Sequence, residues 1–189
     1  MLTRRIVLGA AAAAVLLVGA TSHANAAQTI LIGGGAEGSV STQAARQICA
    51  LIDEHAGKEY GCIARTAPGS VFIIRAIDIG LMEFGFVRSE GVHEAVSGSG
   101  AWEGEPVAGL RAVFHLPTER AELVTGAEIA DDLVYDVVRT VFENPDVLRS
   151  AHPALDGLDA TTMLEGLSAP LHSGAARYYQ ERGWLQARQ

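Results

Sequence analysis

Basic residues are scarce in this chain. Lys and Arg number 14 against 22 Asp and Glu, giving a formal net charge of −8. An acidic chain repels a phosphate backbone, which argues against nucleic acid as a partner. Cysteine occurs only at Cys49 and Cys62, and no histidine stands at ligand spacing, so a metal centre is not expected. Past the first 26 residues, no stretch is long and apolar enough to span a bilayer. There is no internal repeat. A nucleophile with its base is also missing. Ser97-Gly98-Ser99-Gly100 lacks the G-x-S-x-G frame because Val96 precedes Ser97, and His55, His93, His115, His152 and His172 have no evident partner. His172 precedes a helix and reads as a capping or surface residue. Asp131-Asp132 reads as a helix N-terminus, not an acid/base pair. Neither an enzyme nor a cofactor is expected.

The first 26 residues read as a secretory signal peptide. Arg4 and Arg5 form a positive start, Ile6 to Gly19 an apolar run, and Ala24-Asn25-Ala26 a small-x-small cleavage site. The arginine pair raises twin-arginine export as a route. Cleavage leaves residues 27–189, two charges more negative, and long enough for one domain with a real core. Export leads to an oxidising compartment, so a Cys49–Cys62 disulfide is expected, tying a helix to a strand; two buried free thiols are the alternative.

The apolar pattern predicts β-α-β-α-β, and hence a parallel sheet flanked by helices. Ile30–Ile32 reads as a strand, followed by a helix to about Glu54 or Ala56, and Cys62–Thr66 as a second strand. A helix near Val71–Ile79 and a strand Leu81–Val87 follow. Gly91–Gly109 reads as a surface loop around a short helix, Val92–Val96. Leu110–Phe114 is a fourth strand, and Leu123–Thr125 is predicted as one more short one. Ile129, Leu133, Val134, Val137, Val138, Val141 and Phe142 form one helical stripe, closed by Pro145. Two shorter helices are predicted, near Ala160–Leu167 and from just after Pro170-Leu171-His172-Ser173 to about Arg182.

Two strand-to-helix turns carry the chemistry. Gly38-Ser39 opens the first helix and Gly69-Ser70 the second. The first N–H groups of a helix lack internal partners, and the dipole adds positive charge there. In a parallel sheet both turns lie at the carboxyl edge of the strands, where two such termini suit an organic anion. The plainer reading is two ordinary capped helices. Gly33, Gly35 and Gly38 formally match a dinucleotide fingerprint, but Ala64-Arg65-Thr66-Ala67 at the end of the second strand carries no acid for a ribose.

Several segments share a family likeness: ILIGGGAEGSVSTQAARQIC, GCIARTAPGSV, LMEFGFVRSE, ADDLVYDVVRTVFEN, AHPAL and APLHSGAARYYQERG. In this order they resemble the solute-binding proteins of the TAXI branch of TRAP transporters, over residues 28–117 and 123–184. The resemblance implies a type II-like periplasmic binding protein that closes two lobes on a small acid, such as glutamate, and hands it to a membrane permease. Carried onto this chain, it implies ligand contacts at Gly38, Ser39, Ser41, Thr42, Gly69 and Ser70, with Ser89 a further one. Ser41-Thr42 stand where relatives often carry an aromatic, Phe72-Ile73-Ile74 replace a more polar run, and Arg88 stands where glutamine is common. Relatives also insert a whole lobe between the segments that end at Pro117 and begin at Leu123. The implied organisation is therefore one lobe, residues 27–189, with a deletion junction at 118–122 between an N-terminal part, 27–117, and a largely helical part, 123–189. Self-association through exposed hinge surface is a further expectation.

Overall fold

The computed structural model describes residues 28–55 and 60–185. The signal peptide expected over residues 1–26, and the first half of the turn expected at Lys58–Gly61, lie outside the described residues; its second half, Tyr60 and Gly61, already belongs to a strand.

The β-α-β-α-β expectation holds. Strand β1 (Gln28–Gly33) leads into helix α1 (Val40–His55), then β2 (Tyr60–Arg65), α2 (Ser70–Asp78), β3 (Phe84–Arg88) and α3 (Ser89–Ser97). β1 pairs in parallel with both β2 and β3. The last two strands, β4 (Leu110–Leu116) and β5 (Ala121–Gly126), depart from the parallel pattern. β5 runs antiparallel to both β3 and β4, giving a mixed sheet of order β2-β1-β3-β5-β4. The reason is chain length. Parallel neighbours need a crossover of roughly a dozen residues or more, whereas β4 and β5 are joined only by Pro117–Arg120. That connection is a 3-10 turn, Pro117–Glu119, followed by Arg120 at φ 48°. Helices α4 (Asp131–Glu143), α5 (Pro145–Ser150), α6 (Ala160–Leu164) and α7 (Ser173–Glu181) complete the chain.

Helices cover both faces of the sheet. Ile30 and Ile32 of β1 pack with α1, α4 and α7, while Leu31 between them faces the cluster built on α2 and α3. This is the two-residue alternation of a strand buried on both sides. Aromatic rings are few but concentrated. Phe142 sits 5.4 Å from both Tyr179 and Trp184, and the Tyr179 hydroxyl donates to the Val113 carbonyl at 2.9 Å. The outer edge of β4 is covered by the chain before α7, where Ala112 N–H donates to the Pro170 carbonyl and His172 N–H to the Ala112 carbonyl.

Several boundaries differ from the sequence expectation. β3 begins at Phe84, not Leu81, because Gly80 turns the chain at φ 70° and Leu81 stays 65% exposed. The stretch Gly91–Gly109 is not all surface: α3 fills its first part, and Trp102 is buried under the Arg75 guanidinium, 4.1 Å from the ring centre. Pro145 both ends α4 and opens α5, a helix not foreseen; proline suits a first helical position, where no N–H partner is needed.

His172 caps α7 but is no surface residue, being 1% exposed. Its Nδ1 accepts the Gly174 N–H at 3.1 Å, so the ring is neutral in this arrangement. Burial holds its pKa below the ordinary 6.5, against the raising pull of Asp131. A Cβ on Gly174 would stand 2.2 Å from the Asp131 carbonyl oxygen, so glycine is what lets α7 approach α4.

The expected disulfide is present, joining Cys49 of α1 to Cys62 of β2 with Cα atoms 4.8 Å apart. Closing a loop of this length stabilises the fold by about 3 kcal/mol through the unfolded chain. Replacing both cysteines by alanine should lower the melting midpoint by roughly 6–12 °C, measurable by circular dichroism. The buried His172 gives a second expectation. As pH falls through the unfolded value, the unfolded chain takes the proton first, so this contribution to stability is complete above about pH 6.5 and declines below it. The midpoint should fall between about pH 7 and about pH 5, and His172→Asn, which keeps a capping side chain, should flatten that fall.

Candidate functional site

The two glycine-serine turns meet in one place. Gly34 N–H donates to the Arg65 carbonyl at 2.7 Å, and Ala67 N–H to the Gly35 carbonyl at 3.2 Å, tying the end of β1 to the end of β2. The first turn then folds tightly onto α1. A Cβ on Gly34 would lie 2.6 Å from the Thr42 Cα, so only glycine fits there. Ser39 Oγ accepts the Thr42 N–H at 3.2 Å, as an N-cap does. Thr42 Oγ1, 1% exposed as a residue, shares its hydrogen between the Gly35 and Ala36 carbonyls at 3.0 and 2.9 Å. Gly38 supplies the left-handed φ of 77° that reverses the chain.

The second turn is more open. Gly69 stands before α2 with φ 150°, and no side chain caps the helix. The N–H groups of its first turn therefore remain for a ligand. Ser70 Oγ accepts the Arg88 N–H at 3.3 Å, which links the start of α2 to the end of β3 and leaves its own hydrogen free to donate.

Between the turns lies a cleft of about 390 Å³. Of the residues expected as ligand contacts, Ser39, Ser41, Gly69 and Ser70 line it. Gly38 and Thr42 do not. They shape the turn from behind, and Thr42 turns its hydroxyl inward to the backbone. Ser89 also lies elsewhere, on a neighbouring cavity. The cleft adds residues that sequence reasoning did not name as contacts: Phe86 and Arg88 from β3, and Glu119 and Ala121 from the hairpin. Arg88 was within reach of inference, since it ends a strand at the carboxyl edge of a parallel sheet. Glu119 was not, because only the antiparallel turn brings it there.

The wall offers hydroxyl and N–H donors, one exposed guanidinium and one half-buried carboxylate. Among the described residues, the Arg88 side chain makes no ion pair. No histidine lines the cleft, and no group of three metal-ligating side chains occurs among the described residues. The arrangement can hold and orient an acid. Thr42 is the lever on it from outside the wall. Thr42→Val, which removes only the hydroxyl that holds two turn carbonyls, should cost about 1–3 kcal/mol of stability, measured by urea unfolding.

Among the described residues, no helix is long and apolar enough to cross a membrane. A comparison with curated proteins finds no match. The family model described as NMT1-like matches residues 32–128 and 118–183, most of the chain. Mixed sheet, flanking helices and family agree on one lobe of the periplasmic-binding-protein kind: the chain belongs to the NMT1-like family.

Proposed function

We propose that this protein is the periplasmic solute-binding component of a TRAP-type transporter of the TAXI branch, reduced to one lobe. It captures a small organic anion, glutamate-like or a dicarboxylate, and delivers it to a membrane permease without catalysis. The carrying observation is that both Gly-Ser helix starts open into one cleft beside an Arg88 whose side chain forms no ion pair among the described residues. Two helix N-termini and a guanidinium favour a carboxylate. The ligand contacts are Ser39, Ser41, Gly69, Ser70 and Arg88, with Gly38 and Thr42 holding the first turn in place. The family model matches in two stretches that overlap at 118–128, around the hairpin, which supports a second lobe missing at that point. Closure around a ligand needs two walls. With one, the acid stays partly hydrated and its electrostatic contacts are weakened and screened by salt.

Calorimetric titration of residues 27–189 against amino and dicarboxylic acids tests this reading. One acid should bind with an affinity that falls as salt rises, and Arg88→Gln should weaken it about tenfold or more. Glu119→Gln then tells the two ligand classes apart. It should weaken an amino acid, whose ammonium the carboxylate accepts, and tighten a dicarboxylate, which it repels. Flat titrations across the panel would overturn retained binding.

A second reading has its own observation. Val71, Phe72, Ile79 and Leu81, along and just after α2, are 46–66% exposed, an unusual run of large apolar side chains at the surface. It favours a protein-interaction module, with a second copy or another protein on α2. Sedimentation should then show a concentration-dependent dimer that Phe72→Ser abolishes; a monomer throughout would count against self-association.

A further inference from the structure

The hydroxyl groups of the first turn form a chain that can run in only one direction. Thr42 Oγ1 lies 3.0 and 2.9 Å from the Gly35 and Ala36 carbonyls. A carbonyl cannot donate, so the single hydroxyl hydrogen of Thr42 is committed to them. Ser39 must then be the donor in its 3.0 Å bond to Thr42 Oγ1. Ser39 has no second hydrogen, so Ser41 must be the donor across the 3.3 Å between Ser41 Oγ and Ser39 Oγ. Donation therefore passes from Ser41 to Ser39 to Thr42 to the backbone, and Ser39 Oγ also accepts the Thr42 N–H.

Ser41 is left with lone pairs alone to offer. It lines the solute cleft and is only 8% exposed. Gly35 lines the cleft beside it, and a Cβ there would stand 2.8 Å from Ser39 Oγ and 3.0 Å from Ser41 Oγ, so glycine keeps that approach open. Glu119 is a second acceptor on the same wall. The opposite side has the reverse polarity. The start of α2 carries no side-chain cap, Ser70 keeps its hydrogen, and the Arg88 guanidinium only donates.

We infer that Ser41 determines specificity by accepting a hydrogen bond from the solute, so that the cleft selects an acid carrying a donor, an ammonium or a hydroxyl, over one carrying carboxylates alone. Ser39 and Thr42 are positioning residues that fix the direction of the chain. The inference rests on the solute-binding reading and adds to Arg88 and Glu119 a contact that discriminates without charge. An acid with a donor gives Ser41 Oγ its partner. An acid without one sets a carboxylate oxygen against those lone pairs or leaves a largely buried acceptor unpaired.

Glutarate and 2-hydroxyglutarate carry equal charge and differ by one hydroxyl, so comparing them removes the repulsion by Glu119. Calorimetric titration of the native chain at fixed ionic strength should show one enantiomer of the hydroxy acid binding about tenfold or more tighter than glutarate. Ser41→Ala should bring the two affinities together by weakening the hydroxy acid. Thr42→Val removes the acceptor that holds the Ser39 hydrogen, which lets Ser39 donate to Ser41 and Ser41 to the cleft. The preference should then shrink or invert, whereas a purely structural role for Thr42 would weaken both acids alike. Native chain that binds both acids alike, or Ser41→Ala that keeps the preference, would overturn the role of Ser41 and leave solute binding standing. Native chain that binds neither acid, nor glutamate, would overturn the solute-binding reading and this inference with it.

Discussion

The structure depends on where β5 sits. All six of its residues, Ala121–Gly126, are buried, and it pairs with β3 on one side and β4 on the other. Leu123 packs with the cluster on one face of the sheet and Val124 with the cluster on the other. The buried carboxylate of Glu122 accepts the Ser168 N–H and hydroxyl, at 2.7–3.1 Å, and so pins the segment between α6 and α7. Thr125 Oγ1 donates to the Glu83 carbonyl, and Glu83 Oε2 takes the Leu31 N–H, bridging β1 to β5 just before β3 begins. An unsatisfied carboxylate at such depth would be very costly, so these donors come with the strand.

The position of β5 follows from a short connection. A lobe-sized insertion would let the chain leave the sheet after β4 and return. Pro117–Arg120 allows only a hairpin, and the hairpin places Glu119 on the solute cleft and Arg120 on the neighbouring cavity. Both cavities thus share Arg88 and differ in which hairpin residue faces it. The proposed deletion junction is then also what gives this chain two charged walls of its own.

Much of the architecture was legible in the residues. The stripe Leu133, Val134, Val137, Val138 and Val141 is the buried face of α4, because a 3.6-residue period leaves few other arrangements. Ile30–Ile32, followed by glycines, could only be a short strand and a turn. The two cysteines do meet. Less legible were the residues whose role depends on distant neighbours. The resemblance implied Thr42 as a ligand contact; its hydroxyl is spent on the Gly35 and Ala36 carbonyls. Trp102 lay in a glycine-rich stretch that read as surface, yet Arg75 from another element covers it. His172 was correctly a cap, but burial against α4 is a tertiary property.

By itself the sequence determined the local elements and the glycine turns that open α1 and α2, since these follow from spacing and backbone freedom over a few residues. Only the tertiary structure decided that β4 and β5 run antiparallel, that Arg88 and Glu119 face one cleft, and that Ser89 belongs to another. Those outcomes rest on which strands become neighbours, and strand neighbours are chosen by burial across the whole sheet and by the length of chain left to connect them.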